Sequence, residues 1–214
     1  MTFGPGIIMP DSLLGIDVSH HNGTVNWSAV ASAGVSFAYA KASEGANVQD
    51  PMFVQNYAAM RANRLYRGAY HFFHPGTDAS VQARHFLALV PELASGDLPP
   101  ALDVEVGDGQ QPSAIAAGIR AWLQEVEDAI GRPPVLYTSA SFWNVNLAGA
   151  IGFDRYPLWI AHYTTEPQPH LPSGFTRHTM WQYTDSGQVA GIVGVVDLDR
   201  FHGTLEELKT LAKP

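Results

Sequence analysis

The sequence predicts an α/β fold, a modified barrel of the TIM type, from two observations. In the first two thirds of the chain, apolar runs of strand length alternate with segments of helical period, which is the pattern of βα units. Three further strand-like runs follow with only loops between them. Because eight strands are enough to close a barrel, we expect a (βα)5β3 architecture with helices after the first five strands.

Short apolar runs place the first five strands, and each run is followed by a segment of helical period. The strands are predicted over Leu14–Val18, Val35–Ala40, Gly68–Phe73, Ala101–Val106 and Val135–Thr138. The first three helices are expected around Trp27–Ala31, over Met52–Ala62 and over Ala79–Val90. Asp78 is expected to cap the third helix by accepting a hydrogen bond from a backbone N–H of its first turn.

The longest predicted helix, Pro112–Ile130, shows the clearest periodicity. Its apolar residues recur at spacings of three and four, which puts them on one face. They are Ile115, Ile119, Trp122, Val126 and Ile130. Gly131 is expected to end this helix. After a short helix around Phe142–Leu147, the last three strands are predicted over Leu158–His162, Thr179–Tyr183 and Val195–Leu198.

The composition indicates one ordinary globular domain and excludes several classes of function. The chain has 214 residues, of which 46% are hydrophobic and 15% charged, and we expect one domain over 1–214 with an N-terminal extension over 1–13 and a short tail over 204–214. A net charge of −8 opposes nucleic acid binding, and the absence of cysteine excludes disulfides and cysteine nucleophiles. No apolar run is long enough for a transmembrane helix, and no signal peptide is recognisable.

Polar or aromatic side chains stand near the end of every predicted strand, where the active site of such a barrel lies. A cleft lined all the way round by such groups favours a carbohydrate site. These residues are Asp17, Lys41, Tyr70, His71, Asp103, Glu105, Tyr137, Trp159, Gln182 and Asp197.

Asp103 and Glu105 form the sharpest local pattern. Residues i and i+2 of a strand face the same way, about 6.6 Å apart along the backbone, so both carboxylates can point into one space. Repulsion and reduced solvation raise the pKa of one of them, which can then remain protonated. Glycosidic cleavage needs this combination of an acid and a carboxylate. The alternative is a buried ion pair with Lys41.

Three further acidic positions need an explanation. Asp17 interrupts an apolar strand, so it needs a partner or a function, unless it is a cap or turn residue. Asp197 and Asp199 repeat the i, i+2 arrangement on the last strand, which is expected to lie beside the first. For Asp199 we favour a salt bridge or a cap at the exit of the strand.

Four histidines raise the question of a metal site, since metal-dependent hydrolases on barrels also use histidine and aspartate at strand ends. They are His20, His21, His71 and His74. His20 and His21 are adjacent and tend to diverge, and the residues between His71 and His74 are two phenylalanines that fit aromatic packing. We therefore expect structural histidines and no metal or cofactor.

Seven blocks occur in a characteristic order: Gly15–Ser19, Lys41–Gly45, Gly68–Phe72, Leu102–Glu105, Leu158–Ala161, Trp181–Tyr183 and Val196–Leu198. This set resembles glycoside hydrolase family 25, the N-acetylmuramidase lysozymes. Asn22 and Ser43 depart from the residues that the family often has there, without removing a chemical role. The resemblance implies a barrel of five βα units and three strands, which the apolar pattern indicates independently.

The resemblance implies hydrolysis of the β-1,4 bond between N-acetylmuramic acid and N-acetylglucosamine in peptidoglycan, without a metal or cofactor. It implies Glu105 as the general acid, Asp103 as its partner carboxylate, and Asp17 and Asp197 as further acids of the site. For Asp103 two roles are open: stabilisation of the oxocarbenium centre, or orientation of the 2-acetamido group of the sugar. The implied substrate-binding residues are Lys41, Tyr70, Tyr137, Trp159, Tyr163 and Gln182.

The expected partner is the glycan strand of peptidoglycan, with no nucleic acid and no membrane insertion, and we expect a monomer. The expected place of action is the cell wall, without a signal peptide or wall-binding module, as for a phage endolysin, a bacterial autolysin or a secreted lysozyme. The alternative functions are a different β-1,4 glycosidase, an inactive sugar-binding barrel and a metal-dependent hydrolase.

Overall fold

The computed structural model describes residues 12–90 and 92–212, in which eight strands close a barrel and a ninth lies at its side. The strands are β1 (Ser12–Val18), β2 (Phe37–Glu44), β3 (Val48–Gln49), β4 (Tyr66–Phe72), β5 (Ala101–Asp103), β6 (Val135–Ser139), β7 (Leu158–Ala161), β8 (Met180–Gly187) and β9 (Val196–His202). The helices are α1 (Trp27–Ser32), α2 (Phe53–Ala62), α3 (Ala79–Leu89), α4 (Pro112–Ile130), α5 (Ala140–Asn146) and α6 (Leu205–Leu211). The predicted α/β barrel, with helices after its first five strands, is confirmed.

The last strand of the barrel runs against the other seven. Strands β1, β2, β4, β5, β6, β7 and β8 pair parallel in that order. Strand β9 pairs antiparallel with both β8 and β1 and closes the barrel, while β3 forms a small hairpin with the end of β2. The start of β9 therefore lies at the rim where the parallel strands end. The sequence analysis placed Asp197 at the end of a strand, whereas it is the second residue of β9.

Local sequence signals determine the helices that cover the barrel. Helix α4 has the predicted bounds, and its residues Ile115, Ile119 and Trp122 are fully buried. Gly131 follows it with φ 77°, a left-handed conformation that glycine adopts without strain. Asp78 caps α3 as predicted, since its side chain accepts a hydrogen bond from the Val81 N–H at 2.9 Å. Among the described residues, no helix has the length and apolar character needed to cross a bilayer.

Apolar side chains fill the barrel at the end where the parallel strands begin. Gly68 allows this packing, because a Cβ at this position would lie 2.1 Å from the ring of Tyr39. The Tyr39 hydroxyl donates to the Pro99 carbonyl at 2.9 Å. The other buried side chains of this cluster include Phe37, Leu98, Val135, Met180, Phe201 and Leu208.

The two ends of the chain differ from the prediction. The expected tail over 204–214 contains helix α6, which Thr204 caps, and its Leu208 is fully buried against the barrel. Thr204 and Glu207 form a capping box that the sequence displays. Strand β1 begins at Ser12, so the expected extension over 1–13 overlaps the barrel, and its first eleven residues lie outside the described part of the chain.

Candidate active site

An open cavity of about 300 Å³ lies at the rim where the parallel strands end. The barrel brings the residues predicted to be catalytic or substrate-binding together in its wall: Asp17, Lys41, Tyr70, Asp103, Glu105, Tyr137, Trp159, Tyr163, Gln182 and Asp197. Ser19, His21 and Phe72 also line it, and the sequence analysis did not assign them to the substrate site. Ser19 and Phe72 belong to family blocks, each two residues after a predicted site residue, and His21 lies two residues after the first block, which is the signal that could have found them.

Asp103 and Glu105 converge on this cavity for a reason that differs from the prediction. Strand β5 ends at Asp103, three residues earlier than expected, so Glu105 lies beyond it. The Val104 N–H still donates to the Tyr137 carbonyl at 2.9 Å, which holds the segment against β6. Both carboxyl groups therefore reach one space, with Asp103 buried and Glu105 exposed at the mouth.

Burial is the main influence on both acids. It raises the pKa of Asp103 well above the ordinary value, and the charge of Glu105 raises it further, while Lys41 lowers it. The surrounding walls also raise the pKa of Glu105 although its side chain is open to solvent on one side, and Lys41 again opposes the shift. Asp103 Oδ1 is buried without a hydrogen bond partner in the described residues. The pair therefore favours a state that holds a proton.

Lys41 does not form the ion pair with Asp103 or Glu105 that the alternative hypothesis predicted. Its Nζ donates to Glu44 Oε2 at 2.6 Å. Glu44 Oε1 contacts His74 Nε2 at 3.0 Å, and the other ring nitrogen of that histidine lies 3.1 Å from an Asp108 oxygen. Lys41 thus acts on the two acids through its charge across the cavity, and its own partner is Glu44.

Asp17 is a buried residue within β1 and not the cap or turn residue considered as an alternative. Its Oδ2 accepts a hydrogen bond from Gln182 Nε2 at 2.7 Å. Gln182 Oε1 accepts hydrogen bonds from the hydroxyls of Tyr137 and Tyr163, each at 2.8 Å. Gln182 therefore connects β1, β6 and the segment after β7 across the floor of the cavity.

Asp197 and Asp199 lie on β9 beside β1, where Asp197 is paired in register with Asp17. Asp197 is half-buried, and burial together with the charge of Asp185 raises its pKa to about 6. Asp199 is fully buried in the middle of the strand, and its Oδ1 accepts a hydrogen bond from Trp159 Nε1 at 2.8 Å. The salt bridge or cap expected for Asp199 is wrong, since no cation pairs with it in the described part of the chain.

The aromatic residues of the site differ in accessibility. Tyr137 and Trp159 are almost completely buried and pack edge to face at 4.8 Å between ring centroids. Tyr163 is 51% exposed and forms part of the rim. Tyr163 therefore offers a sugar the broadest contact of the three, while Tyr137 and Trp159 form the floor.

Of the four histidines considered as metal ligands, His20, His71 and His74 contact polar side chains, while His21 lines the cavity. His71 is fully buried between Ser43 Oγ at 2.7 Å and Gln82 Oε1 at 3.1 Å, and burial lowers its pKa to about 3. It is the structural histidine that the sequence predicts. His20 contacts Asp50 at 2.8 Å. In residues 12–90 and 92–212, no three histidine or acidic side chains are grouped as metal ligands would be.

Comparison with known sequences identifies the protein family. The profile of Glycosyl hydrolases family 25 matches residues 16–192, which is most of the chain. The chain belongs to glycoside hydrolase family 25. The match ends before β9, so the positions of Asp197 and Asp199 beside β1 are known from the structure.

Several relatives of family 25 cover nearly the whole chain. The uncharacterized protein YegX of Escherichia coli K12 is 41% identical over 91% of this chain and 71% of its own length. Lysozyme M1 of Streptomyces globisporus is 38% identical over 92% of this chain and 70% of its own length. The crystal structure of a bacterial lysozyme from Streptomyces coelicolor superimposes with a TM-score of 0.89 at 37% identity, covering 94% of this chain and 96% of that one. This chain is therefore a glycoside hydrolase, a lysozyme of the muramidase type.

Proposed function

We propose that this family 25 lysozyme hydrolyses the β-1,4 bond between N-acetylmuramic acid and N-acetylglucosamine in peptidoglycan. The observation that supports glycosidic hydrolysis is the convergence of acidic side chains from β1, β9 and the end of β5 on one open, aromatic-walled cavity, and the bond is the one that the resemblance to the lysozymes of this family implies. An open cavity lets a polymer pass through the site, and glycosidic cleavage requires an acid and a carboxylate side by side.

We assign the role of general acid to Glu105. Its carboxyl group lies at the mouth of the cavity, where it can reach the oxygen between two sugars, and its raised pKa favours the protonated form. Asp103 is the carboxylate beside the reacting sugar, acting on the oxocarbenium centre directly or through the 2-acetamido group. Asp17 and Asp197 complete the acidic floor. The proposed substrate-binding residues are Lys41, Tyr70, Tyr137, Trp159, Tyr163 and Gln182.

The decisive experiment is to digest purified peptidoglycan with the wild type and with Glu105→Gln, to reduce the new ends with borohydride and to identify the reduced sugar. We expect reduced muramic acid from the wild type and a loss of at least about 100-fold in the variant, since a general acid contributes on the order of 10²–10⁴. Reduced glucosamine would show that a different bond is cut. Binding to several wall types without new ends would indicate a sugar-binding barrel.

We further propose that the protein acts on the cell wall as a monomer, without nucleic acid and without inserting into a membrane. One chain supplies every residue of the cavity wall, so the site needs no second subunit. Light scattering at micromolar concentration should therefore give the mass of one chain. A concentration-dependent dimer that is more active than the monomer would contradict this assignment.

A further inference from the structure

Asp199 is a buried acidic residue that the proposed reaction does not use. It is 0% exposed and lies one layer below the cavity, in register with Gly15 of β1 and Gln182 of β8. Its Oδ1 accepts the Trp159 indole N–H, but its Oδ2 has no hydrogen bond from any N–H group or hydroxyl in the described residues. A buried carboxylate oxygen without a donor is costly, so this atom needs an explanation.

Asp17 lies diagonally opposite Asp199 on the antiparallel pair of β1 and β9, since Asp199 is in register with Gly15 and Asp197 with Asp17. Both side chains are buried and lie on the same face of the sheet, where the two carboxyl groups act on each other, and Asp17 Oδ2 already accepts Gln182 Nε2 at 2.7 Å. Two carboxylates only accept hydrogen bonds, so a hydrogen bond between them requires that one carries a proton. Such a proton would supply the donor that Asp199 Oδ2 otherwise lacks.

The surroundings of the two acids favour keeping this proton. The groups that act electrostatically on one or the other are acids and tyrosines on neighbouring strands, and none of them is a cation. They are Tyr39 on β2, Tyr70 on β4, Asp103 on β5, Tyr137 on β6, Tyr163 after β7, Tyr183 on β8 and Asp197 on β9. Two negative charges at full burial with no cation in contact would be strongly unfavourable.

We propose that Asp17 and Asp199 form a carboxyl pair that shares one proton, and that Asp199 is thereby a positioning residue for Asp17. The pair carries one negative charge instead of two. The part of this proposal that concerns catalysis rests on the function proposed above, whereas the shared proton does not.

The shared proton has a consequence for the reacting acids. Asp103 is among the charges that raise the pKa of Asp17, and the repulsion between two charges is mutual, so a full charge on Asp17 would raise the pKa at which the Asp103–Glu105 pair loses its last proton. By holding a proton against Asp17, Asp199 limits this effect. Asp199 would then influence the pH range over which the general acid Glu105 stays protonated, without contacting the substrate.

The test uses Asp199→Asn, which is nearly isosteric. The new Oδ1 can keep the hydrogen bond from Trp159, and the new amide N–H faces Asp17, which then ionises fully. Infrared difference spectroscopy at pH 7, on protein with ¹³C-labelled aspartate carboxyls, reports the carbonyl stretch of protonated aspartic acid. We expect the variant to lose one such group. Asp128→Asn, on the exposed face of α4, is the matched control and should lose none.

An unchanged band of protonated aspartic acid in Asp199→Asn would overturn the shared proton. Should the variant fail to fold, ¹³C NMR titration of the labelled wild type gives the same answer. The pair predicts that Asp17 or Asp199 keeps a proton well above the ordinary range of an aspartic acid, and ordinary titration of both residues would overturn it. Neither measurement depends on which glycosidic bond is cut.

The positioning role is tested by the pH profile of kcat/KM on peptidoglycan. In Asp199→Asn the charge moves fully onto Asp17, so we expect the basic limb, which reports the acid, to shift to higher pH. Asp128→Asn should leave the limb in place. A lost infrared band with an unmoved limb would keep the shared proton but overturn the positioning role of Asp199.

Discussion

Buried acids occur at both ends of the barrel, but in the described residues only the end opposite the cavity provides them with an arginine. There Asp97 accepts two hydrogen bonds from Arg67, at 2.6 Å and 3.2 Å, and a third from the Ala94 N–H. At the cavity end, Asp103 and Asp199 are about as buried and touch no lysine or arginine. The first arrangement stabilises the fold, whereas the second raises pKa values at a cost in stability, as sites for acid catalysis do.

The largest effect on stability should come from removing Arg67, which pairs with the buried Asp97 at the end of the barrel opposite the cavity. Arg67→Met leaves Asp97 buried and unpaired, and it also removes the hydrogen bond to the Tyr57 carbonyl at 2.6 Å and the packing on the Tyr57 ring. We expect a loss of about 3–5 kcal/mol in the free energy of unfolding, measured in urea. Arg84→Met, which breaks an exposed 3.7 Å contact with Glu125, is the control and should cost at most about 1 kcal/mol. Equal losses would show that burial does not distinguish the two pairs.

The same substitution at the two ends should have opposite effects on stability. Asp103→Asn relieves repulsion in the cavity, so we expect the free energy of unfolding to rise by about 0.5–2 kcal/mol. Its activity on peptidoglycan should fall by on the order of 10²–10³, the usual loss for a group that stabilises transition-state charge. Asp97→Asn, in contrast, weakens the pair with Arg67 and should destabilise the protein. A destabilised Asp103→Asn would make Asp103 a structural residue.

The cavity end should also be recognisable from the pH dependence of stability. The pKa of Asp197 is about 6 in the fold against an ordinary value of 3.8, so the folded chain binds this proton more tightly. Its contribution to stability is therefore present below pH 3.8 and is lost as pH rises to about 6. The Tm of Asp197→Asn minus that of the wild type should therefore increase as pH rises from 3.8 to about 6 and stay constant above pH 6.

This comparison must use the difference between variant and wild type, because a buried histidine acts in the opposite direction. Burial lowers the pKa of His71 to about 3, so its contribution is lost as pH falls below its ordinary 6.5. The effect of His71 is the same in both proteins and cancels in the difference. A constant difference in Tm between pH 4 and pH 7 would contradict the raised pKa of Asp197.

The sequence predicted the parts of the fold that local patterns determine. The bounds of α4 follow from its apolar face and from Gly131, and the gathering of Asp17, Asp103 and Gln182 follows from their places on successive barrel strands. The capping box of Thr204 and Glu207 indicates the start of helix α6 in the sequence. The packing of this helix against the barrel depends on a buried surface that distant segments form, and the sequence does not show that surface.

The features that the sequence did not predict depend on contacts between distant segments. The direction of β9 is set by its pairing with β8 and β1, and an apolar run of strand length carries no sign of direction. The partner of Lys41 is Glu44, which competes with Asp103 and Glu105 only once the end of β2 is placed over the cavity. The sequence analysis identified Lys41, Asp103 and Glu105 but not Glu44, and spacing alone could not decide the partner of Lys41.

The smallest predicted effect tests whether the ion pair between Lys41 and Glu44 leaves Asp103 and Glu105 without a cation partner. Hydrogen bonds from Lys41 and His74 outweigh partial burial and lower the pKa of Glu44, so its charge holds the lysine at 2.6 Å. In Glu44→Gln this charge is gone, and Lys41 becomes free to turn towards Asp103 and Glu105. The pKa values of both acids should then fall because the cation approaches, and the pKa of Asp103 should fall further because the repulsion from Glu44 disappears.

For Glu44→Gln we expect the basic limb of kcat/KM to move to lower pH, with a loss of about five-fold or less at neutral pH, as for a partly exposed ion pair worth up to about 1 kcal/mol. Asp108→Asn removes an equal charge at the far side of His74 and should shift the limb less, since it does not touch Lys41. A shift of the basic limb to higher pH would show that Glu44 holds Lys41 where its charge stabilises the ionised forms of Asp103 and Glu105. The acids of the cavity would then have a cation partner, like Asp97 at the opposite end of the barrel.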